Sequence, residues 1–295
     1  MIKKLQKKFV SNAFIIIMYM LLRRFFSFMD DSFKKILGKK PVLYLLEYHV
    51  AEHCNMGCNS CFHFSSLVKE KIFSDLEQFK SDMTRLGELF GNIKTIRLMG
   101  GEPFLNKDLP QFIYQARLAF PQAKIHILTN GLLYKKLDGE LLQAVLSNNA
   151  AIHVSVYKPM INKKNDMEQF FVERGVQYWI SNPILQFAKY INISGNSNPK
   201  KAVAQCPASR CTFLSQGHIA RCPLPANIKH FNKFFGQSIN MDHELIDIHA
   251  ARLDGFELKR RLAKPMSSCR YCGKLEWVDW NQVSENVLVS YTVSS

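Results

Sequence analysis

From Pro41 onward, short apolar runs alternate with longer stretches in which apolar residues recur every three or four positions. The runs at 43–51, 94–99, 124–128, 151–156 and 176–180 are rich in β-branched and aromatic residues and predict strands. The stretches near 72–90, 108–119, 136–148 and 164–174 carry the helical period. Strands joined through helices imply a parallel sheet with right-handed crossovers, so this pattern predicts an α/β domain over roughly 41–200. Functional residues in such sheets collect at the C-terminal ends of the strands. The chain shows no internal repeat and no long low-complexity tract.

Residues 1–40 read differently. Lys3, Lys4, Lys7 and Lys8 precede an apolar run at 13–22, and Arg23 and Arg24 follow it. About ten apolar residues are too few to span a bilayer as a helix. A signal peptide competes with that reading, but no small-residue cleavage site follows. Lys8, Asn12, Arg23, Ser27, Asp31 and Lys34 recur at near-helical spacing, which predicts a basic amphipathic helix. Such a helix suits peripheral attachment to an anionic membrane surface. Packing on the protein's own body or on a partner is the alternative.

A length of 295 residues suits one large domain with a small appendage. The net charge of +15 changes the picture only locally, because residues 1–40 alone supply +8. The basic excess therefore predicts no nucleic-acid partner, and no base-stacking or groove-reading motif accompanies it. Eight cysteines in clusters point to metal ligation in a reducing, cytoplasmic compartment rather than to disulfides.

The densest cluster is Cys54-Asn-Met-Gly-Cys58-Asn-Ser-Cys61, directly after the first predicted strand. Structural zinc sites want four ligands. Three thiolates can hold three corners of a cubane iron–sulfur cluster and leave the fourth iron open. Zinc, a redox site and fortuitous structural cysteines are the competing readings. Gly100-Gly101-Glu102-Pro103 follows the second strand, where two glycines let backbone approach a ligand and a carboxylate can receive an ammonium. Alone, this sequence is a common turn. Thr129-Asn130-Gly131, closing the third strand, is by itself a turn signal.

In this order and position the motifs resemble the signature of the radical S-adenosylmethionine (radical SAM) superfamily. The resemblance implies a partial (β/α)6 barrel over 41–205. It also implies a [4Fe–4S] cluster on Cys54, Cys58 and Cys61 whose open iron takes S-adenosylmethionine. By the same resemblance Gly100, Gly101 and Glu102 contact the methionyl amino group, and Ser155 contacts the ribose, with Tyr157 nearby. Many members carry an aromatic residue before the third cysteine, where this chain has Ser60. Phe62, His63 and Phe64 are expected to supply the aromatic surface instead, Phe62 as a cofactor contact. His63 can exchange a proton near the cluster, or be an ordinary hydrogen-bonded loop histidine.

Cys206, Cys211, Cys222, Cys269 and Cys272 remain. Their spacing, with Gly217 between Cys206 and Cys222, resembles a twitch or SPASM extension over 206–295. A full SPASM pattern would place a further cysteine where Val278 stands, so the resemblance implies one auxiliary [4Fe–4S] cluster. Five thiols compete for four places, and a structural zinc site is the alternative. Either metal would staple a region expected to be too small and irregular for a core of its own.

The resemblance implies reductive cleavage of S-adenosylmethionine to methionine and a 5′-deoxyadenosyl radical, which abstracts hydrogen from substrate. It also implies an electron donor such as flavodoxin or ferredoxin. One auxiliary cluster suits an oxidoreductase of dehydrogenase or epimerase type, similar to aminocyclitol-dehydrogenating and sulfatase-maturing enzymes. The expected substrate is a small polar molecule of sugar or nucleotide-sugar type. A peptide- or protein-modifying maturase is the second hypothesis, and a non-catalytic metal-stabilised binding or electron-transfer protein the third.

Overall fold

A computed structural model describes residues 31–206, 208, 211–282, 285 and 287–293. The chain divides into two compact units, Met1–Pro41 and Val42–Ser295. In the first, residues 31–36 are helical, and the turn ends at Gly38 with a φ of +64°. The rest of the predicted amphipathic helix lies outside the described residues. Among the described residues no helix is long and apolar enough to cross a membrane.

The second unit opens with β1 (Val42–Ala51), which pairs in parallel with β2 (Asn92–Gly100). Next in the sheet come β3 (Lys124–Thr129), β4 (Ala151–Val154) and β5 (Gln177–Ile180), each parallel to its neighbour. The crossovers are α1 (Leu76–Leu89), α2 (Leu109–Ala119), α3 (Gly139–Ser147) and α4 (Lys164–Glu173). These elements match the periodic segments closely. Asp75 caps α1 by accepting from Glu77 N–H (2.7 Å) and Gln78 N–H (3.0 Å), which fixes where the loop after the cysteines becomes helix.

Alternation along the strands separates two faces. Leu46, Tyr48, Val50, Ile96, Leu98, Ile125, Ile127, Ile152 and Val154 face the helices and share one core with Phe79, Met83, Phe112, Ile113, Ala116, Val145, Met167 and Phe171. Glu47, His49, Arg97, Met99, His126 and His153 occupy the alternate positions, on the face the four helices leave open.

The sixth strand departs from the expected partial (β/α)6 order. The linker between β5 and β6 (Gln186–Ile191) is Ser181–Leu185, far too short for the dozen or more residues a parallel crossover needs. Accordingly β6 leaves the sheet and pairs antiparallel with β10 (Cys272–Asp279). The main sheet grows at its other edge instead. There β7 (Phe213–Ser215) lies parallel to β1, followed antiparallel by β8 (His218–Ala220) and β9 (Ile246–Asp247). Gln216 and Gly217 form the β7–β8 turn, both with positive φ, as a two-residue hairpin of this twist requires.

The boundary expected at 205 therefore coincides with no break in the packing. Residues after 206 contribute strands to the main sheet, and helix α6 (Leu224–Phe235) packs Leu224, Ile228 and Phe231 into a second core with Phe64, Leu67, Tyr190, Ile191 and Tyr291. Buried Asp82 of α1 ties the halves further, accepting from the Gly217 N–H (2.9 Å) and bonding His249 (2.8 Å). Two shorter helices, α5 (Pro199–Gln205) and α7 (Gly255–Leu262), complete the unit.

Candidate metal centre and active site

The cysteine loop leaves the end of β1 and turns on two left-handed residues, Ser60 (φ 57°) and Phe64 (φ 59°). In the second turn Phe64 N–H donates to the Cys61 carbonyl (3.0 Å), and the backbone N–H groups that follow lie near the Cys61 sulfur and favour its charged form against burial. That setting suits a thiolate. Cys54 sulfur receives the Met56 N–H (3.4 Å) and the Asn130 side-chain amide (3.5 Å). Without a metal, burial pushes all three thiols up, Cys54 to about 12, and each of Cys54 and Cys58 is raised further by Cys61. Metal loading must therefore displace protons here. All eight cysteines are free thiols.

Trp280 and Tyr157 wall this loop. Their rings stack at 5.6 Å and 15°, packed with Met56 and Cys58. The Trp280 indole N–H is buried with no acceptor in hydrogen-bond geometry, yet it faces Cys58 closely enough to lower that thiol's pKa. An orphaned donor beside three thiols fits an anionic iron–sulfur group. The Ser155 side chain lies close enough to Tyr157 to lower that phenol's pKa against its burial.

Gly100 and Gly101 are needed here for a reason internal to the chain. A Cβ on Gly100 would run into the Ala51 carbonyl, and one on Gly101 into the His53 carbonyl. The end of β2 thus lies against the start of the cysteine loop, with Gly101 N–H donating to Ala51 O (2.8 Å) and Glu102 N–H to His53 O (3.2 Å). Glu102 is wholly buried and accepts from Phe104 N–H (3.1 Å), the Thr129 hydroxyl (2.7 Å) and Asn130 N–H (2.9 Å). Burial raises it to about 7 against those three bonds. The carboxylate therefore binds the Thr129–Gly131 turn to the Gly100–Glu102 turn, and Asn130 carries that link on to Cys54 and to Asn55 (2.8 Å).

Phe64 is buried among Tyr190, Phe231 and Tyr291, and the Phe62 ring lies on Tyr190 at 4.6 Å. Both rings serve the second core, because the left-handed turn at Phe64 directs them there. The aromatic residues at the thiols are Tyr157 and Trp280. Trp280 sits 219 positions from Cys61 and offers no sequence signal, whereas Asn130 could have been found by giving Thr129-Asn130-Gly131 more weight than a turn. His63 shares a hydrogen bond with His49 (2.9 Å). His49 contacts Glu52 (3.5 Å), and Glu52 also bonds His230 (3.0 Å). Burial would push Glu52 up, but His230 and His49 hold it well below the usual carboxylate range.

Cys222 is raised by Cys272, Cys206 and Cys269 together, after burial, and Cys272 by Cys269 and Cys206. Cys211 instead has Glu47 as its main electrostatic neighbour and is pushed up to about 12 by burial and that carboxylate. Among the described residues, no group of three or more His, Cys, Asp or Glu is drawn in tightly enough to hold a single metal ion.

Residues 48–161 match the sequence model of the radical SAM superfamily, a span that holds the three-cysteine loop, Gly100–Glu102, Thr129–Gly131, Ser155 and Tyr157. Curated relatives include the GTP 3′,8-cyclase of Staphylococcus saprophyticus, 31% identical over 105 residues, or 34% of this chain and 31% of that protein. That of Aliarcobacter butzleri is 29% identical over 167 residues, or 54% and 48%. The chain thus spans between a third and a half of the curated relatives it matches. Among solved structures, BtrN in complex with AdoMet and 2-DOIA aligns over 79% of this chain and 94% of its own, at 18% identity and a TM-score of 0.41. Native anSMEcpe with bound AdoMet aligns over 48% and 43%, at 21% identity and a TM-score of 0.39. The relatives' names describe a cyclase, so they lend nothing to the dehydrogenase or epimerase expectation.

Proposed function

We propose that this chain is a radical SAM enzyme that cleaves S-adenosylmethionine reductively and abstracts hydrogen from a small polar substrate of sugar or nucleotide-sugar type, in an oxidation or epimerisation. The observation that carries the reading is the three-thiol loop at the C-terminal end of β1, held against the Gly100–Glu102 turn, inside the stretch that matches the radical SAM model. When bound, a [4Fe–4S] cluster with S-adenosylmethionine supplies one-electron cleavage of a sulfonium and a 5′-deoxyadenosyl radical.

The chain's own residues do the remaining work. Cys54, Cys58 and Cys61 would hold three irons, while Asn130 and Trp280 direct N–H donors at the sulfurs, which tunes a cluster's potential. Gly100 and Gly101 bring the second strand end against the loop, and Glu102 fixes the turn that carries Asn130. Ser155 and Tyr157 line the same end of the sheet, with Trp280 shielding it from water. Cys206, Cys222, Cys269 and Cys272 are the thiols we assign to one auxiliary [4Fe–4S] cluster, supported by their mutual electrostatic coupling.

The test offers the anaerobically reconstituted protein S-adenosylmethionine, dithionite and a panel of sugar nucleotides, with GTP included because the curated relatives are named for it. Product formed one-to-one with 5′-deoxyadenosine from a sugar nucleotide supports the reading. Turnover of GTP alone replaces the substrate class, and 5′-deoxyadenosine without any product rejects the whole panel.

A further inference from the structure

The open face of the sheet is not the greasy surface that an uncovered β-sheet would present for packing. In register across three strands stand Glu47 of β1, Arg97 of β2 and His126 of β3. Two positions earlier on β3, on the same face, is exposed Lys124. His153 of β4 stacks on His126 with ring centroids 4.1 Å apart, and Trp179 of β5 lies 5.7 Å beyond. Alternation puts all of these on one side, and the row crosses the sheet.

Charge along this row is lopsided. Arg97 and Lys124 are cations, and both imidazoles can donate or accept. The single carboxylate, Glu47, is buried and already spent on Arg97 Nη1 at 2.8 Å. Arg97 Nε is buried with no partner, so the guanidinium is anchored at one nitrogen and unsatisfied at another. The Arg97 charge reaches both imidazoles, which places the three side chains within one small space. Trp179, on the edge strand β5, is 56% exposed, an unusual state for an indole.

The β1 end of the row lies near thiols. At its β1 end Glu47 meets Cys211, which in turn feels Cys206. Two residues above Glu47 is His49, bonded to His63 beside Cys61. Arg97 stands three residues before Gly100 and His153 two before Ser155, which at about 3.3 Å per residue is roughly 7–10 Å below the S-adenosylmethionine end.

We propose that Arg97, Lys124, His126 and His153 form the docking row for a phosphate or diphosphate on the substrate, with Trp179 as the platform for its ring. This rests on the radical SAM reading for its reaction, and it narrows the substrate to a phosphorylated one. Arginine gives a planar fork matched to phosphate oxygens, and Glu47 holds that fork from behind. Histidines kept neutral by burial and by the neighbouring cations donate N–H groups at neutral pH without repelling Arg97 or Lys124.

The test is calorimetric titration of the full-length, reconstituted protein with inorganic pyrophosphate, without S-adenosylmethionine and without reductant. Its outcome is thus independent of whether the protein cleaves S-adenosylmethionine. Arg97→Gln and His153→Gln should each weaken pyrophosphate binding by about tenfold or more, the worth of a charge-assisted hydrogen bond. Arg97→Gln strands Glu47, so the partly exposed His153→Gln keeps the test open if the first variant misfolds. Lys229→Gln with Lys233→Gln, which removes cations lining a separate cavity of about 520 Å³ beside α6, should leave binding intact. Unchanged affinity in His153→Gln, loss confined to the Lys229/Lys233 pair or to removal of residues 1–40, or no binding by the unaltered protein would each overturn the proposal.

Discussion

Cys54, Cys58 and Cys61 lie within eight residues of chain, whereas Cys206, Cys222, Cys269 and Cys272, the thiols proposed for a second cluster, are spread over a stretch of 67. The first group needs only local turns, at Ser60 and Phe64, with backbone donors supplied by the next five residues. Assembling the second would require β10 to pair with β6 and the β7–β8 hairpin to join β1. Loop-closure entropy must be met before such distant contacts form, so the second group depends on the whole fold and the first hardly at all. A local group can be damaged without unfolding the chain, and a gathered group should act as a staple.

The largest expected effect breaks the first group. Cys61→Ala should abolish 5′-deoxyadenosine release and lower iron from ~8 to ~4 per chain, with little change in thermal stability. The converse change, Cys222→Ala, should also leave ~4 iron per chain but lower the melting temperature and preserve some 5′-deoxyadenosine release. Cys211→Ala sharpens the contrast, because its thiol has Glu47 as its main electrostatic neighbour and should cost no iron. Iron lost in Cys211→Ala but kept in Cys206→Ala would reverse the sorting of the five thiols.

Smaller effects probe how the two regions are tied to the sheet. Glu102→Gln exchanges an acceptor for an amide inside a wholly buried set of three donors, and urea denaturation should register a loss of about 1–3 kcal/mol. The smallest is a pH effect away from both groups. Burial first, then His153, Arg97 and Lys124, hold folded His126 down at about 4 against 6.5. The unfolded chain then takes up that proton first, so the stabilisation is complete above about 6.5 and is lost as pH falls toward about 4. His126→Gln should flatten the stability–pH curve within that window, and an unaltered slope would assign it to other groups.

The same contrast explains what the sequence made legible. The five parallel strands and four crossover helices follow from period and composition, because each buries one face in one core. The three-cysteine loop was legible because its ligands, its turn and its strand are contiguous. β10 was not, since Cys272–Asp279 alternates weakly and is mostly exposed, its pairing with β6 being the cause of its structure. The ring directions of Phe62 and Phe64 were not legible, because they depend on a left-handed turn that composition does not announce. The concave row could not be read at all without register, which is what aligns Glu47, Arg97 and His126.

One measurement tests the central claim most directly: metal content and S-adenosylmethionine cleavage of the full-length protein after anaerobic reconstitution. The account predicts ~8 iron per chain and 5′-deoxyadenosine released only when dithionite is present. Zinc in place of iron, or no 5′-deoxyadenosine from iron-loaded protein, would contradict it.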